Sequence, residues 1–499
     1  MAGRMARTLP KLESAWVAAR NTNSGWPQFL EAVYIDSLRG WQDQWVEFRF
    51  PVVAIAGENG SGKSTVLKAA AAAYGSVEGS KDYSPDDFFP TTPWEEVKGV
   101  RLSYRIRRGQ DVATHSVRKP TSRWRGMPER PSRRTFFLDV SRTQPIDSLI
   151  GYGKVARIEL AQSTDELALS DEYRDSLSRV LGRTYESGSI VRDERGKQVG
   201  IVSHGGTTYS NFHQGAGEDA TTDLMALLQD APRNSLVLID EVEASLHPRA
   251  QRRLMTELIS IATTRRLQLI VTTHSPYVLE QLPADARIYL RTARGGRREP
   301  VYGVTAEYAM TQMDDERHPE LTLYCEDEFA LEVIEQVVRL TDPDLLGRLQ
   351  IIPVGPAGTV RMLGELAHAK KFPEAGLGVL DADEAPGEAC VALPGAKLAP
   401  ERAVFSAMQE EQFVALGQRL GVQAGALMDA VEDAMRLDDH HTWPARVAER
   451  LAGTMRASKV RDAFIDVWVH DVLTPEQLEA FTDAIRQRVP AMEVTALDA

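Results

Sequence analysis

The run Gly57-Glu58-Asn59-Gly60-Ser61-Gly62-Lys63-Ser64-Thr65 matches the phosphate-binding loop pattern G-x-x-x-x-G-K-[ST] at every fixed position. Glycines there let backbone N–H groups curl around a phosphate, and the helix that follows adds the positive end of its dipole. The expected roles follow: Asn59, Gly60, Gly62 and Thr65 cradle phosphates, Lys63 reaches the β- and γ-phosphates, and the Ser64 hydroxyl ligates Mg²⁺. A nucleotide site also needs a second, carboxylate-bearing strand, and Leu236-Val237-Leu238-Ile239-Asp240-Glu241 supplies one. Asp240 at its tip is placed to hold Mg²⁺, and Glu241 to polarise the water that attacks the γ-phosphate. The cofactors implied are ATP and Mg²⁺.

These side chains need elements to hold them. Pro51 to Ala56 reads as a short buried strand, and the Ala-rich stretch from Val66 to Tyr74 as a helix. That is the strand–loop–helix context of the motif. The apolar runs Leu236–Ile239 and Leu269–Thr273 read as fully buried parallel strands. Phe29 to Ile35 and Trp45 to Phe50 alternate like paired edge strands ahead of the loop. An α/β fold class results. No long heptad stretch separates the two halves, so a coiled-coil arm is excluded.

The chain has 499 residues, enough for two to four domains at about 100–200 residues each. Its net charge of −13 means that nucleic acid can bind only through a local basic patch. One such patch exists, at about residues 100–135. It holds Arg101, Arg105, Arg107, Arg108, Arg118, Lys119, Arg123, Arg125, Arg130, Arg133 and Arg134 with Trp124 interleaved, against Asp111 and Glu129. It is either a nucleic-acid contact, for DNA or tRNA, or a solvated Arg-rich hairpin. The two cysteines, Cys325 and Cys390, cannot build a zinc site or a disulfide scaffold. No apolar run is long enough for a leader or a membrane span. The expectation is a soluble, cytoplasmic protein with no membrane partner, of bacterial flavour in its Ala, Arg, Gly and Val content.

Further motifs sharpen the class. Glu243-Ala244-Ser245-Leu246-His247-Pro248 resembles the D-loop of ABC-type ATPases in the form used by the RecF and OLD group. Thr272-Thr273-His274-Ser275 resembles that group's switch histidine, which places His274 beside the γ-phosphate. His247 is read as structural in the loop turn. Gln214-Gly215-Ala216-Gly217-Glu218 is similar to the degenerate signature segment, where Gly217 would cap the γ-phosphate of a partner subunit. Gln144 is the candidate Q-loop residue. The resemblance implies an ABC/RecF-like ATPase domain over residues 1–310 and at least a homodimer.

After Tyr308 the pattern changes. Leu321–Glu326, Leu349–Val354 and Leu377–Asp383 read as strands alternating with helices over Asp327–Leu340 and Thr359–Lys370. That alternation argues a small parallel sheet, with ligands at the carboxyl ends of its strands. Glu326, Asp381 and Asp383 would converge there into a hard-oxygen site for Mg²⁺ or Mn²⁺. One Glu after the first strand and a D-x-D after the third resemble a Toprim domain, here over residues 318–410. The chain from about residue 25 to 410 then resembles the OLD family, ATPase–Toprim proteins of bacteria, several of which act in antiphage defence. In that family the Glu serves acid/base chemistry and the two Asp ligate metal for phosphodiester cleavage. Two departures stand out. Many nuclease members carry an Asp four residues after the first Glu, where this chain has Ala330. The family's late basic residue has only Lys459 as a candidate.

Residues 411–499 read as helical. His440-His441 suggest either a metal or a charged helix N-terminus, and the second is preferred because adjacent residues diverge on a helix. Three functions remain open: an ATP-regulated, metal-dependent endonuclease; an ATPase sensor with an inactive Toprim-like domain that holds and releases a co-encoded toxic effector; and a RecF-like DNA-repair ATPase.

Overall fold

Val52–Ala56 is buried at all five positions, as a strand covered on both faces must be. In the computed structural model it lies inside a seven-stranded sheet. The order across that sheet is Glu493–Val494, Arg298–Tyr302, Arg287–Thr292, Val52–Ala56, Gln268–Thr273, Leu236–Ile239 and Thr135–Leu138. The five strands from Arg287–Thr292 to Thr135–Leu138 run parallel, and the two at the other edge are antiparallel. The phosphate loop and the tips of the two expected apolar strands therefore leave the same edge of one sheet. The structure describes residues 2–78, 80–127, 130–140, 165–192, 198–451 and 455–494. The chain divides into two units, residues 1–313 with 492–499, and residues 314–491.

In the first unit a second, antiparallel sheet runs in the order Gln44–Glu47, Gln28–Asp36, Val100–Arg108, Asp111–Lys119. The expected hairpin is there, with Tyr34 opposite Trp45. Gln268, fully buried, joins the two sheets. Its side-chain amide donates to the Leu30 carbonyl at 2.7 Å, and its oxygen accepts from the Leu30 N–H at 3.0 Å and from Arg133 at 2.8 Å. A buried polar group is tolerated when its partners are supplied in this way. A third sheet, Asp165–Ala168 to Thr207–Ser210, is antiparallel throughout.

The second unit holds a four-stranded sheet in the order Leu349–Pro353, Leu321–Cys325, Gly376–Leu380, Cys390–Ala392, parallel at every pair. Helices Glu328–Thr341 and Ala357–His368 link its strands. Among the described residues the helices after residue 410 have no core of their own. Phe413, Leu416, Trp443 and Phe464 share one apolar cluster with Leu323, Phe329 and Val379 of the sheet region. Phe405 stacks on Phe464 with ring centroids 4.4 Å apart. So small a sheet needs a second layer to bury its face, and these helices supply it. Among the described residues no helix is long and apolar enough to cross a membrane.

Candidate nucleotide and metal sites

Gly62 has φ +97°, and a Cβ there would meet the Trp41 indole nitrogen at 2.6 Å. Both the backbone and the space demand glycine. The helix Lys63–Ala71 starts immediately after it, and its first turn carries no side-chain cap. Those amides remain for an anion. A cavity of about 360 Å³ opens here. Its lining gathers Asn59, Gly60, Gly62, Lys63, Ser64, Thr65, Asp240, Glu241 and His274, all expected from the sequence.

Lys63 Nζ donates to the carbonyls of Gly57 at 2.8 Å and Glu58 at 2.9 Å. Burial pushes its pKa down to about 8, against the opposing pull of Glu241 and Asp240. Ser64 Oγ lies 3.3 Å from Asp240 Oδ1, so the two expected Mg²⁺ ligands already touch. Thr272 orders both acids. Its hydroxyl donates to Asp240 Oδ1 at 2.6 Å and accepts from the Glu241 N–H at 2.8 Å. Glu241 sits at φ +47°, a left-handed conformation unusual for a side chain of its kind. The His274 N–H donates to Glu243 Oε1 at 2.5 Å. Burial and then the Lys63 charge lower the His274 pKa. A neutral imidazole therefore lines the cavity beside Lys63 and Asp240. The donor set fits ATP with Mg²⁺.

Sequence reasoning missed Thr272's role and two cations. Arg39 and Arg298 also line the cavity. Arg39 pairs with Glu95 at 2.9 Å, and Arg298 Nε is buried without a hydrogen-bond partner. Each reaches the site from a distant segment, and no motif marks either one.

The remaining ATPase expectations sit apart from this cavity. Gly217 lies in the first turn of the helix Ala216–Asp230, and a Cβ on it would meet the Ser245 carbonyl at 2.4 Å. The expected signature segment and D-loop are thus in direct backbone contact. Glu218 accepts from Tyr209 Oη at 2.9 Å and also from Tyr185. His247 caps the helix Pro248–Arg265, its Nδ1 accepting from the Ala250 N–H at 3.2 Å. Gln144 lies outside the described residues.

The basic insert is largely spent inside the fold. Arg105 pairs with Glu47, Arg107 with Glu31, Lys119 with Asp86 and Arg130 with Asp82. Arg133 donates to Gln268 and to the Asn234 carbonyl, and Arg134 to the Glu78 carbonyl. The exposed remainder includes Arg101, Arg118 and Arg125. With Tyr34 and Trp45 these three line a groove of about 680 Å³ on the antiparallel sheet.

In the second unit Glu326 follows the strand Leu321–Cys325. Its carboxylate accepts from the Ala357 N–H at 3.1 Å and from the Asp381 backbone N–H. Asp381 follows the neighbouring strand Gly376–Leu380. Burial, then the charges of Glu326, Asp327, Glu401 and Asp383, push its pKa up to about 8. Asp381 Oδ1 is buried with no hydrogen-bond partner. Such crowding, with an orphaned oxygen inside it, fits a hard divalent cation such as Mg²⁺ or Mn²⁺. Asp383 is exposed. Asp327 caps the helix Glu328–Thr341 by accepting from the Ala330 N–H at 2.9 Å, and Ala330 is fully buried. Lys459 is exposed, while Arg461 on the same helix pairs with Glu328 and Glu332.

The two adjacent histidines depart from expectation. His440–Thr442 form a 3₁₀ turn ahead of the helix Trp443–Leu451, and the imidazoles fold together with centroids 4.2 Å apart. Both face Glu401, which lies some forty residues earlier.

Two family models match the chain. One, described as "AAA domain", covers residues 32–149. The other, described as "AAA domain, putative AbiEii toxin, Type IV TA system", covers residues 146–280. No curated protein matches. Solved structures similar to the chain include the SMC head domain from Thermotoga maritima, at 17% identity and TM-score 0.32, covering 54% of this chain and 97% of that one. An SMC head bound to the C-winged helix domain of ScpA is similar at 18% identity and TM-score 0.33, covering 56% and 99%. The recombination mediator RecF is similar at 13% identity and TM-score 0.32, covering 54% and 97%. The two AAA matches together take in both the phosphate loop and the Asp240 strand, and both fall within the first unit, whose loop and strand have the form of an AAA-type P-loop domain.

Proposed function

We propose that this chain is an OLD-type, ATP-regulated endonuclease of bacterial antiphage defence, acting on nucleic acid in the cytoplasm with Mg²⁺ or Mn²⁺. The observation that carries the reading is Asp381. Its partnerless oxygen and its pKa near 8 mark a crowd of carboxylates beside the C-terminal ends of adjacent parallel strands. In the ATPase half, Lys63 and the loop amides bind and orient the phosphates, and Glu241 takes the proton of the attacking water. Gly217 and Ser245 present a joined surface to a second copy, so the working unit is a homodimer or higher oligomer. In the other half Glu326, Asp381 and Asp383 would hold the cation. When bound, that cation polarises a phosphodiester and lowers the pKa of its water. The groove of Arg101, Arg118 and Arg125 with Tyr34 and Trp45 suits a DNA or tRNA strand, through phosphate contacts and base stacking.

Incubating the purified protein with plasmid DNA and tRNA, with Mg²⁺ or Mn²⁺ and with or without ATP, tests the proposal. Cleavage by wild type, lost in Asp381→Ala while ATP hydrolysis persists, is the expected result. Equal cleavage by Asp381→Ala overturns it. A second reading draws on the buried Ala330 in place of the family's further Asp: an ATPase sensor whose Toprim-like unit holds a co-encoded effector. Phage protection that survives Asp381→Ala would select it.

A further inference from the structure

Glu401 is 2% exposed, on the short helix Pro400–Ser406. A buried carboxylate requires a counter-charge. Among the described residues no arginine or lysine pairs with it. Its partners are two imidazoles: His441 Nδ1 lies 2.8 Å from Oε1, and His440 Nε2 lies 3.8 Å from Oε2. One ligand atom from each of the three residues falls within a 4.8 Å span. Asp327 Oδ2 approaches the same His441 nitrogen at 3.6 Å. A cavity of about 290 Å³ opens onto Asp327, Glu401 and His441 and gives the cluster an approach from solvent.

The surroundings hold these groups in place. Arg402, next to Glu401, donates to the Asp438 carbonyl at 3.0 Å and lies over the Trp443 ring at 5.5 Å. The Trp443 indole donates to the Leu437 carbonyl at 3.0 Å, and its ring packs edge-on to Phe405. Helix and histidine turn are thus clamped to each other on both sides of the cluster. That is the outer support that a metal centre needs to fix its ligands.

We propose that Glu401, His440 and His441 bind one divalent transition metal of the Zn²⁺ or Co²⁺ class, with Asp327 as a fourth donor or as the acceptor for a bound water. Two imidazoles and a carboxylate favour such borderline ions over Mg²⁺ and Ca²⁺, which prefer oxygen alone. Its donor set differs from the oxygen-only cluster of Glu326, Asp381 and Asp383, which it neighbours: the charges of Glu401 and Asp327 reach Asp381. The proposal does not depend on nuclease activity.

The test uses the full chain, stripped with chelator and titrated with Co²⁺ under a large excess of Mg²⁺. Visible d–d absorption should saturate at one ion per chain, and Zn²⁺ should displace it. His441→Ala and Glu401→Gln should each weaken Co²⁺ binding by about 10- to 100-fold. Asp383→Ala should leave the spectrum unchanged. His441 is more than half exposed, so its replacement leaves the fold intact, which circular dichroism checks independently. The proposal is overturned if the His440→Ala/His441→Ala double variant binds Co²⁺ as wild type does. It is equally overturned if the excess Mg²⁺ removes the signal, or if the signal is lost with Asp383 rather than with the histidines.

Discussion

Thr272 and Asp240 share a 2.6 Å hydrogen bond, and the same threonine hydroxyl receives the N–H of Glu241. One side chain therefore fixes both the expected metal ligand and the expected base. Thr272→Val removes a bond to a charged group, which is worth about 1.5–3 kcal/mol. ATP turnover should fall by about 10- to 100-fold, with a smaller change in KM, and Thr272→Ser should restore it. Steady-state phosphate release decides; an unaltered rate in the valine variant removes Thr272 from the site.

Lys63 and Glu241 should separate binding from chemistry. Lys63→Ala should abolish nucleotide binding, because its ammonium is the buried cation that donates to the Gly57 and Glu58 carbonyls of the loop. Glu241→Gln should bind ATP and fail to hydrolyse it, and should accumulate as a dimer in light scattering. Hydrolysis by this variant at the wild-type rate would contradict the assigned role.

The approach of Gly217 to Ser245 predicts a coupling defect. A methyl group placed 2.4 Å from a carbonyl oxygen forces the helix Ala216–Asp230 away from the loop after Glu241. Gly217→Ala should keep ATP affinity, since Gly217 does not line its own chain's cavity. Hydrolysis should fall by at least about tenfold, as a displaced catalytic part does. A fluorescent nucleotide titration beside an ATPase assay separates the two.

Asp219 predicts a pH dependence of stability. Burial raises its folded pKa from 3.8 to about 6, and its Oδ1 is buried without a partner. The folded state thus holds this proton more tightly than the unfolded chain. Stability is highest below pH 3.8 as far as this group goes, and falls as pH rises through about 6. Asp219→Asn should therefore stabilise the protein near neutral pH by about 2 kcal/mol and have little effect in mild acid. Thermal melts at the two pH values check it; equal shifts at both would refute the assignment.

The parts of the site that were legible in the sequence are those whose chemistry is contiguous. Val52 to Thr65 and Leu236 to Glu241 each contain a strand, its turn and its reactive groups in one stretch, so spacing alone reveals them. Arg39, Trp41 and Arg298 meet the phosphate loop only after the sheets form, and Thr272 looks like any β-branched residue of a buried strand. Glu401 and the His440–His441 pair were opaque for a related reason. Helical periodicity separates neighbouring side chains, but a 3₁₀ turn ahead of the helix lets both rings swing onto a carboxylate supplied from elsewhere. The strand Glu493–Val494 is too short to carry a pattern, so its return to the first unit's sheet had no signal.

The internal use of the basic insert limits how this protein can respond to salt. Arg105, Arg107, Lys119, Arg130, Arg133 and Arg134 already serve carboxylates, carbonyls and a buried amide of the fold. Arg101, Arg108, Arg118, Arg123 and Arg125 remain exposed. Each cation that neutralises a phosphate releases condensed counterions, with a slope of about −0.7 to −0.9 in log K against log salt per contact. Were the insert to meet a nucleic acid, five such contacts would cap its share of that slope at about −4, roughly half of what its eleven cations would give.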